Sequence, residues 1–453
     1  MRAGIVEGVL ATASDNIAAP FLSLYALSLG ATKTQIGLVT ALPALLGSVL
    51  QFPAALLTDR FRRRRLLMLI GTIGLRPTWL LVPLLALWFP GAQAVVAYLV
   101  FLAVRSAIGS AAPAAWTSVM ADVVPKRIRG AYFANRNILC NLSALIASVA
   151  AGWLVRLFGT PSGYHAVFVL AGLVGAVAAY TMTWFPDVDR LRSPSTPLAE
   201  SPGAPAESRV NPFGLWQRAV GFARRERAFL WFTGFSVLWN FGVTLPQPLF
   251  AVYYVEDLGG SEGMWGVVNA ASLLMTVVGQ RYWGPLADRY GNRNLMIASG
   301  VFAAFASAVW LLAARPWHAI LVNVYGGFVW AGYNLAAFNL VLEMTPDARR
   351  ATYVAAYNAL IGLAQFAGPI AGGIMADAVG IEAVLLAATG LRMAGWVLLR
   401  TVMRAPEEQE FRWRNYLWLP VAAQYRLLRS RLHRSRLWRR PAPGAGPGKG
   451  LGA

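Results

Sequence analysis

Charged side chains are scarce in this chain. Lysine, arginine, aspartate and glutamate make up 13% of its 453 residues, whereas soluble domains carry about a quarter. Hydrophobic residues reach 57% and the mean hydropathy is +0.51. So little charge excludes an ordinary soluble domain, and we expect a helical protein that crosses a membrane several times.

Cysteine and histidine are also scarce. The single cysteine, Cys140, excludes an internal disulfide, and the three histidines, His165, His318 and His433, lack the spacing of metal ligands. The sequence contains no Gly-x-x-x-x-Gly-Lys-Ser/Thr loop for nucleotides. We therefore expect no metal, no bound cofactor and no direct use of ATP. Because no catalytic cluster is evident either, we do not expect an enzyme.

Apolar runs long enough to span a bilayer, about 20 residues each, recur along the chain. The first has no basic leader and no cleavage site, so we expect a retained helix. Every span must be helical because hydrocarbon offers the backbone no other partner, and Pro246 and Pro248 should break the seventh. The sequence predicts an all-α membrane protein with twelve transmembrane helices at 4–29, 35–57, 66–89, 93–121, 130–157, 164–185, 228–254, 263–286, 295–314, 317–343, 352–378 and 381–402.

The net charge of +20 is concentrated in short loops and in the tail. Basic residues favour the cytoplasmic side of a membrane protein. The basic loops contain Arg60–Arg65, Lys126–Arg129, Arg289–Arg293 and Arg349–Arg350, whereas the alternate loops carry acids such as Glu256. We therefore place both termini in the cytoplasm and expect a multi-pass protein of the plasma (inner) membrane.

Two stretches interrupt the apolar pattern. Residues 186–227 are rich in serine and proline and predict a flexible cytoplasmic linker that ends in a short basic surface helix. Residues 403–453 form a basic, aromatic tail that suits anionic lipid headgroups and has a disordered end, and we expect no nucleic acid as a partner. The chain thus divides into an N-terminal bundle (1–185) and a C-terminal bundle (228–402) of six helices each.

The two bundles repeat each other in sequence. At an offset of 229 positions Asp59-Arg60 coincides with Asp288-Arg289, and at an offset of 221 the acid Asp122 coincides with Glu343. Two matches in the same order predict pseudo-symmetric halves joined by the linker. Such halves place a substrate between them near the middle of the membrane.

The loop Gly284-x-x-x-Asp288-Arg289-x-Gly291-x-Arg293 resembles the signature that the major facilitator superfamily carries after its second and eighth helices. The Asp/Glu-x-x-Pro-x-x-x-Arg pattern that begins at Asp122 and at Glu343 is similar to the family's companion signature. The resemblance covers residues 1 to about 402 and implies that family's fold and transport by alternating access. The sequence departs from the signature at Ala55, Arg62 and Asn292.

We interpret the charged loops as a cytoplasmic gate. Gly291 can adopt φ > 0 and keep its turn tight. Arg293 can pair with Glu343 when the cytoplasmic side is closed, and Arg64 has the same relation to Asp122. The alternative is that these arginines only fix the orientation in the membrane. The predicted gate comprises Asp59, Arg60, Arg64, Asp122, Arg129, Gly284, Asp288, Arg289, Gly291, Arg293, Glu343 and Arg350.

Ionisable residues inside spans are rare and usually functional. With a rise of about 1.5 Å per residue, Asp15 and Arg105 lie about 20 Å and about 17 Å from the outer ends of their helices, so we expect them to pair. Arg105 and Gly109 resemble the family's fourth-helix signature, which implies a link to proton coupling, although Ile108 replaces the usual glutamine. A purely structural pair is the alternative. The predicted cavity and coupling residues are Asp15, Asn16, Arg105, Trp116, Arg136, Asn240, Gln247, Asn334 and Asn358.

Three further arginines lie in spans but outside this predicted site. We expect Arg76 and Arg281 to be close enough to the cytoplasmic face to snorkel towards it. Arg392 is more central, and the sequence offers it no partner.

We predict a secondary active transporter of a small solute that works by alternating access and is coupled to protons through Asp15 and Arg105. The alternative from another class is a membrane receptor or scaffold on a transporter fold, signalling through its basic tail. Among transporters, drug efflux, organic-anion uptake and sugar uptake stay open, because several arginines favour an anion while amides and tryptophans suit a neutral compound. The expected partners are the substrate and the bilayer, and we expect a monomer.

Overall fold

The computed structural model describes residues 2–61, 64–125, 128–185, 227–344 and 350–402. Within these ranges the chain is helical and contains no β-strand. The predicted linker with its surface helix, up to residue 226, and the tail from residue 403 lie outside the described residues.

The described helices form twelve consecutive segments, six on each side of the linker. The N-terminal half contains segment 1 (Arg2–Ala18, Ala19–Phe21 and Leu22–Ser28), segment 2 (Lys33–Phe61), segment 3 (Arg64–Leu75, Pro77–Leu81 and Val82–Trp88), segment 4 (Ala92–Gly109 and Ala111–Val123), segment 5 (Arg129–Phe158) and segment 6 (Ser162–Thr181 and Met182–Trp184). The C-terminal half contains segment 7 (Arg227–Thr244, Gln247–Leu249 and Phe250–Glu256), segment 8 (Glu262–Tyr290), segment 9 (Asn292–Phe305 and Ala308–Leu311), segment 10 (His318–Glu343), segment 11 (Arg350–Val379) and segment 12 (Ile381–Val402). The twelve predicted spans are confirmed, and their ends differ from the observed ones by a few residues.

Eight of the described stretches are long and apolar enough to cross a membrane by themselves. They belong to segments 2 to 6, 9, 11 and 12. Segment 1 is not among them, and it carries Glu7 and Asp15 within its apolar sequence. Charged residues in such a segment need partners on neighbouring helices, because lipid provides none. The chain is a multi-pass membrane protein.

Prolines interrupt two segments at equivalent places in the two halves. Segment 1 passes through a 3-10 turn at Ala19–Phe21 that contains Pro20, and segment 7 does so at Gln247–Leu249 with Pro248. Proline lacks an N–H group and its ring clashes with the preceding turn of a helix. The predicted break in segment 7 is confirmed, and segment 1 has an interruption of the same kind that was not predicted.

Segments 3 and 9 are also interrupted at equivalent places, but by different means. Segment 3 turns at Pro77–Leu81, again with a proline at its start. Segment 9 ends its first helix at Phe305 and resumes at Ala308 without any proline. The interruption of segment 9 must therefore be stabilised by a contact from elsewhere in the fold.

Arg392 of segment 12 provides that contact. Its side chain is only 2% exposed, and it donates to the backbone oxygens of Ala388 and Ala303, 3.1 and 3.0 Å away, and to the hydroxyl of Ser307. Ala303 lies in the last turn of the helix that ends at Phe305. A cation at a helix C-terminus satisfies free carbonyls and complements the helix dipole. Arg392, for which the sequence offered no partner, thus caps the C-terminal end of the first helix of segment 9, Asn292–Phe305.

Glycines with positive φ confirm the repeat in the backbone. Gly30 and Gly259 have φ of 83° and 65°, and Gly159 and Gly380 have φ of 66° and 89°. Only glycine adopts this conformation without a steric penalty. The members of each pair stand 229 and 221 residues apart, the two offsets of the sequence repeat. They lie in the loops after segments 1, 7, 5 and 11.

The two halves meet at the end of the bundle that carries these four loops, which we call the closed face. Segment 5 packs on segment 8 there through small residues, the 5–8 seam, formed by Ser148, Gly152, Gly263 and Gly266. A Cβ atom on Gly152 would lie 3.2 Å from Cα of Gly266, and the hydroxyl of Ser148 donates to the Gly266 oxygen over 2.9 Å. Small residues allow the two backbones to approach this closely.

Segment 2 packs on segment 11 in a more polar contact, the 2–11 seam, formed by Lys33, Thr34, Gly373 and Asp377. The Asp377 carboxylate accepts from the backbone N–H groups of Lys33 and Thr34 over 2.9 and 2.8 Å, and from the Thr34 hydroxyl over 2.5 Å. An acid of the C-terminal half therefore caps the first turn of a helix in the N-terminal half. Nothing in the sequence analysis had singled out Asp377.

Candidate functional site

Asp15 of segment 1 and Arg105 of segment 4 come together inside the N-terminal half. Arg105 Nη2 lies 4.0 Å from Asp15 Oδ1, with the side chains 12% and 48% exposed respectively. The Arg105 guanidinium also lies over the Trp79 ring, with Cζ 3.6 Å from the ring centroid. Stacking of this kind stabilises a partly desolvated cation. The pairing expected from equal depth is therefore present in the structure, and its role in coupling stays a prediction.

A second ionic group, which the sequence analysis missed, surrounds Glu7 of segment 1. Its carboxylate is 2% exposed and lies 3.4 Å from Arg76 of segment 3 and 3.4 Å from Arg136 of segment 5. Each oxygen faces a different arginine. A buried carboxylate needs such partners, because leaving the charge unpaired in a low dielectric is costly. Glu7 thereby ties three segments together.

The backbone makes room for the two arginines around Glu7. A side chain on Gly8 would collide with the Arg136 guanidinium, whose Cζ lies 2.6 Å from the position of a Cβ atom, and one on Gly175 would meet Cβ of Arg76 at 2.8 Å. Arg136 Nε donates to the Gly4 oxygen over 3.0 Å. These close approaches leave space for the Arg136 guanidinium beside segment 1 and for the Cβ atom of Arg76 beside segment 6.

The position of Arg76 corrects the prediction that it snorkels towards the membrane surface. Its Nη1 instead faces Glu7, with the side chain 14% exposed. Arg76 is the residue directly before the 3-10 turn at Pro77–Leu81, where the helix axis is interrupted. The sequence spacing did not reveal this interruption or the partner Glu7, 69 residues away.

Trp116 and Arg136 form a contact within the predicted site. The Arg136 Cζ atom lies 4.6 Å from the centroid of the Trp116 ring, so both belong to the surroundings of Glu7. The structure does not connect Trp116 to Arg105 by one regular helix, because segment 4 is interrupted at Ser110. The predicted site residues on segments 1, 4 and 5 therefore form two groups, around Asp15 and around Glu7.

The predicted amides are distributed differently. Asn16 and Asn240 are half-buried, and each donates to its own helix, to the oxygens of Thr12 and Ser236 over 2.9 and 2.8 Å. Gln247, Asn334 and Asn358 are exposed. An amide that donates to a backbone oxygen of its own helix has one donor fewer for a substrate. The assignment of these amides to a substrate cavity stays a prediction.

The loop after segment 8 turns as its sequence predicts. Gly291 has φ of 80°, in the region that favours glycine. Glu343 accepts from Asn292 Nδ2 over 2.5 Å, and Asn339 donates to the Asn292 Oδ1 over 3.0 Å. The pairing of Glu343 with Arg293 when the cytoplasmic side is closed stays a prediction. Asn292, where the sequence departs from the family signature, thus links segments 9 and 10.

Other members of the predicted gate are only partly described. Asp288 and Arg289 are exposed at the end of segment 8. The remaining positions belong to helices whose side chains lie outside the described part, so their pairing stays a prediction: Asp59, Arg60, Arg64, Asp122, Arg129 and Arg350.

The chain matches the model of the Major Facilitator Superfamily twice, over residues 8–250 and over residues 237–442. Together the two matches cover both halves of the fold. They agree with the two signature loops and with the repeated glycines of the backbone.

Curated relatives align over shorter stretches. An uncharacterised MFS-type transporter of Methanocaldococcus jannaschii is 24% identical over 163 residues, which are 36% of this chain and 42% of the relative. A Na⁺, Li⁺, K⁺/H⁺ antiporter of Planococcus maritimus is 25% identical over 133 residues, 28% of this chain and 31% of the relative. The multidrug resistance protein MdtG of Proteus mirabilis is 31% identical over 169 residues, 34% of this chain and 39% of the relative. The alignments thus span less than half the length of each relative.

Solved structures of transporters share the fold along most of the chain. A mutant of the nucleoside transporter NupG superposes with a TM-score of 0.68 at 14% identity, covering 89% of this chain and 100% of NupG. A bacterial homologue of the lysosomal transporter Spinster superposes with a TM-score of 0.63 at 14% identity, covering 90% of this chain and 97% of the homologue. At this identity the likeness concerns the fold alone.

Proposed function

This chain belongs to the Major Facilitator Superfamily, and we propose that it is a secondary active transporter that moves a small solute by alternating access, with the proton as coupling ion. The proposal includes the plasma membrane as its location and cytoplasmic termini. The relatives' names mention drugs and the exchange of alkali cations for protons, so these are the first solutes to test.

The position and exposure of the Asp15 carboxylate are the observation that supports the coupling step. Its carboxylate lies halfway along segment 1, is 48% exposed and stands 4.0 Å from Arg105, beyond hydrogen-bonding distance. A carboxylate that is partly exposed and that no guanidinium holds within hydrogen-bonding distance can take up and release a proton. Glu7 differs, because it is 2% exposed and faces two arginines. We therefore assign proton exchange to Asp15 and a structural role to Glu7.

The seams of the closed face are the proposed outer gate. The loops at the opposite end of the bundle are the basic ones, including Arg289 and Arg293, and basic loops favour the cytoplasm. The closed face is then the extracellular one. Alternating access requires the 2–11 and 5–8 seams to separate while the predicted gate around Asp288 closes.

Transport by purified protein in proteoliposomes tests the coupling step. Asp15→Asn should abolish uphill uptake driven by an imposed pH gradient but leave solute exchange at equilibrium measurable, because the amide cannot carry the proton. Asp257→Asn, which changes an exposed acid in the loop after segment 7, should leave both activities near wild type. Uphill uptake that survives in Asp15→Asn would remove Asp15 from coupling. Absence of flux for every drug, cation and metabolite tested would overturn the transport proposal itself.

A further inference from the structure

We propose that the transported solute carries an anionic group, a carboxylate or a phosphate, and that Arg105 is the residue that binds it. This inference rests on the proposed transport function and adds the chemical class of the substrate. It follows from the charges inside the N-terminal half and from the hydrogen-bond donors around Arg105.

Positive charge exceeds negative charge among the described residues inside the N-terminal half. Arg76, Arg105 and Arg136 face only Glu7 and Asp15. Glu7 lies against two of the arginines, so Arg105 is left with Asp15 alone, at 4.0 Å. A guanidinium removed from water needs a counter-charge. One bound anion would supply the negative charge that the protein itself does not.

Arg105 has hydrogen-bonding capacity that no described residue uses. Its Nε and Nη2 atoms are buried and have no acceptor among the described residues. The same holds for Trp79 Nε1, on the ring against which Arg105 stacks, and for Arg76 Nε. Each of these four nitrogens is a donor, so a group that binds them brings acceptor oxygens. Carboxylates and phosphates are the groups that do so with negative charge.

Trp79 fixes the orientation of the Arg105 guanidinium without using its donors. The Arg105 Cζ atom lies over the ring, 3.6 Å from its centroid, and Trp79 itself is 2% exposed. The N–H groups of arginine point outwards in the plane of the guanidinium, away from the stacked face. An arginine held in this way keeps two neighbouring N–H donors, here Nε and Nη2, for two parallel hydrogen bonds to one carboxylate or phosphate.

An anion at these N–H groups takes the place of the Asp15 carboxylate, which stands 4.0 Å from Arg105 Nη2 and is 48% exposed. It meets no repulsion from the other half. Among the described residues of the C-terminal half, every acid lies at or near the end of a segment or in a loop: Glu256, Asp257, Glu262, Asp288, Glu343, Asp377 and Glu382. The middle of that half therefore presents no described carboxylate to a negatively charged solute.

Binding to the full-length purified protein tests the proposal with matched pairs of solutes. The probes are aliphatic and aromatic carboxylates, each with its neutral amide, and phosphate monoesters, each with its neutral alcohol. We expect at least one anion to raise the melting temperature of the wild type while its neutral partner does not. Arg105→Gln should lower the affinity for that anion about tenfold to a hundredfold, which is the range expected for losing hydrogen bonds to a charged group. Arg105→Lys should recover part of the affinity, because it keeps the charge but loses the two parallel donors.

Arg281→Gln is the matched control, since it removes an exposed arginine of segment 8 and should leave anion binding unchanged. The proposal is overturned if no anion of the set binds, if neutral partners bind equally well, or if Arg105→Gln binds the anion as wild type does in a sample with an unchanged melting temperature. A neutral or cationic solute that is transported in an Asp15-dependent way, without anion binding, would overturn the anionic substrate and leave the proposed transport function standing.

Discussion

The N-terminal half of the molecule buries charge, whereas the C-terminal half buries hydroxyls and aromatic rings at the equivalent positions. Glu7 and Asp15 of segment 1 correspond, 229 residues later, to Ser236 and Thr244 of segment 7. Thr244 donates within its own helix, to the Asn240 oxygen over 2.9 Å, and needs no partner of opposite charge. Both segments nevertheless break at an equivalent proline-containing turn.

The same contrast holds for the arginines. At the offset of 221, Arg105 and Arg136 correspond to Gly326 and Tyr357. Tyr357 stacks on Phe232 at a ring distance of 5.9 Å. The path of the backbone therefore depends on the repeated glycines, prolines and small-residue contacts and not on the charges. Among the described residues, the interior acids lie in the N-terminal half, whereas the buried Arg392 of the C-terminal half is held by backbone oxygens and by Ser307. We infer that ion and anion handling belong to the N-terminal half.

The substitution Glu7→Gln should cause the largest loss of stability among the changes that test this contrast between the halves. It leaves Arg76 and Arg136 buried without an anion, and breaking a buried ion pair in this way costs about 3–5 kcal/mol. We expect a large fall in the melting temperature of the purified protein. Ser236→Ala, at the equivalent position of the other half, removes a buried hydroxyl and no charge and should cost about 1 kcal/mol or less.

A double-mutant cycle keeps this prediction testable if Glu7→Gln folds poorly. Glu7→Gln combined with Arg136→Gln removes one positive charge together with the negative one, so it should be more stable than the sum of the single losses predicts. Equal melting-temperature losses for Glu7→Gln and Ser236→Ala would show that the two halves tolerate the change alike, and the contrast would fail.

Gly152→Val should have the next largest effect, because it acts where the halves meet. The added side chain would overlap the Gly263 carbonyl and stand 3.2 Å from Cα of Gly266. Overpacking of this kind costs about 1–3 kcal/mol, so the equilibrium between the closed and separated seam should shift away from closure by about fivefold to about 150-fold. Spin labels at the exposed positions Phe158 and Ser261, in a Cys140→Ser background, would report a longer distance across the 5–8 seam.

Gly390→Val is the control for this substitution. Gly390 lies in segment 12 with open space where a Cβ atom would be, so the same chemical change meets no neighbour there. An unchanged distance distribution in Gly152→Val would show that the 5–8 seam does not depend on glycine.

Most of the fold could be predicted from the sequence, since length and hydrophobicity determine where a helix crosses the membrane. The sequence repeat also predicted that the two halves have equivalent folds, and the glycines with positive φ recur at the same two offsets in the structure. What failed depended on distant contacts. The interruption of segment 9 involves Arg392, which is 89 residues from Ala303 in sequence, and no local pattern reveals such a partner.

The candidate site was predicted less completely. Equal depth brought Asp15 and Arg105 together, but depth alone does not say which side of a helix a residue faces. Glu7 carries the same signal as Asp15, an acid within an apolar run, and was missed because it lies close to the start of the first span. Its partner Arg76 was assigned to the surface because the break at Pro77 was not anticipated.

The smallest predicted effect concerns Asp377, the one acid that the C-terminal half presents to the N-terminal half in the 2–11 seam. Asp377→Asn keeps one acceptor oxygen but loses the charge that complements the first turn of segment 2, at a cost of about 1 kcal/mol, or about fivefold in the closed population. Spin labels at the exposed positions Thr32 and Val379 would measure the shift. Glu382→Gln changes an exposed acid nearby that does not cap segment 2 and should not shift the distances. If both variants behave as wild type, the cap contributes nothing to closure, and the glycine contacts alone hold the halves together at this face.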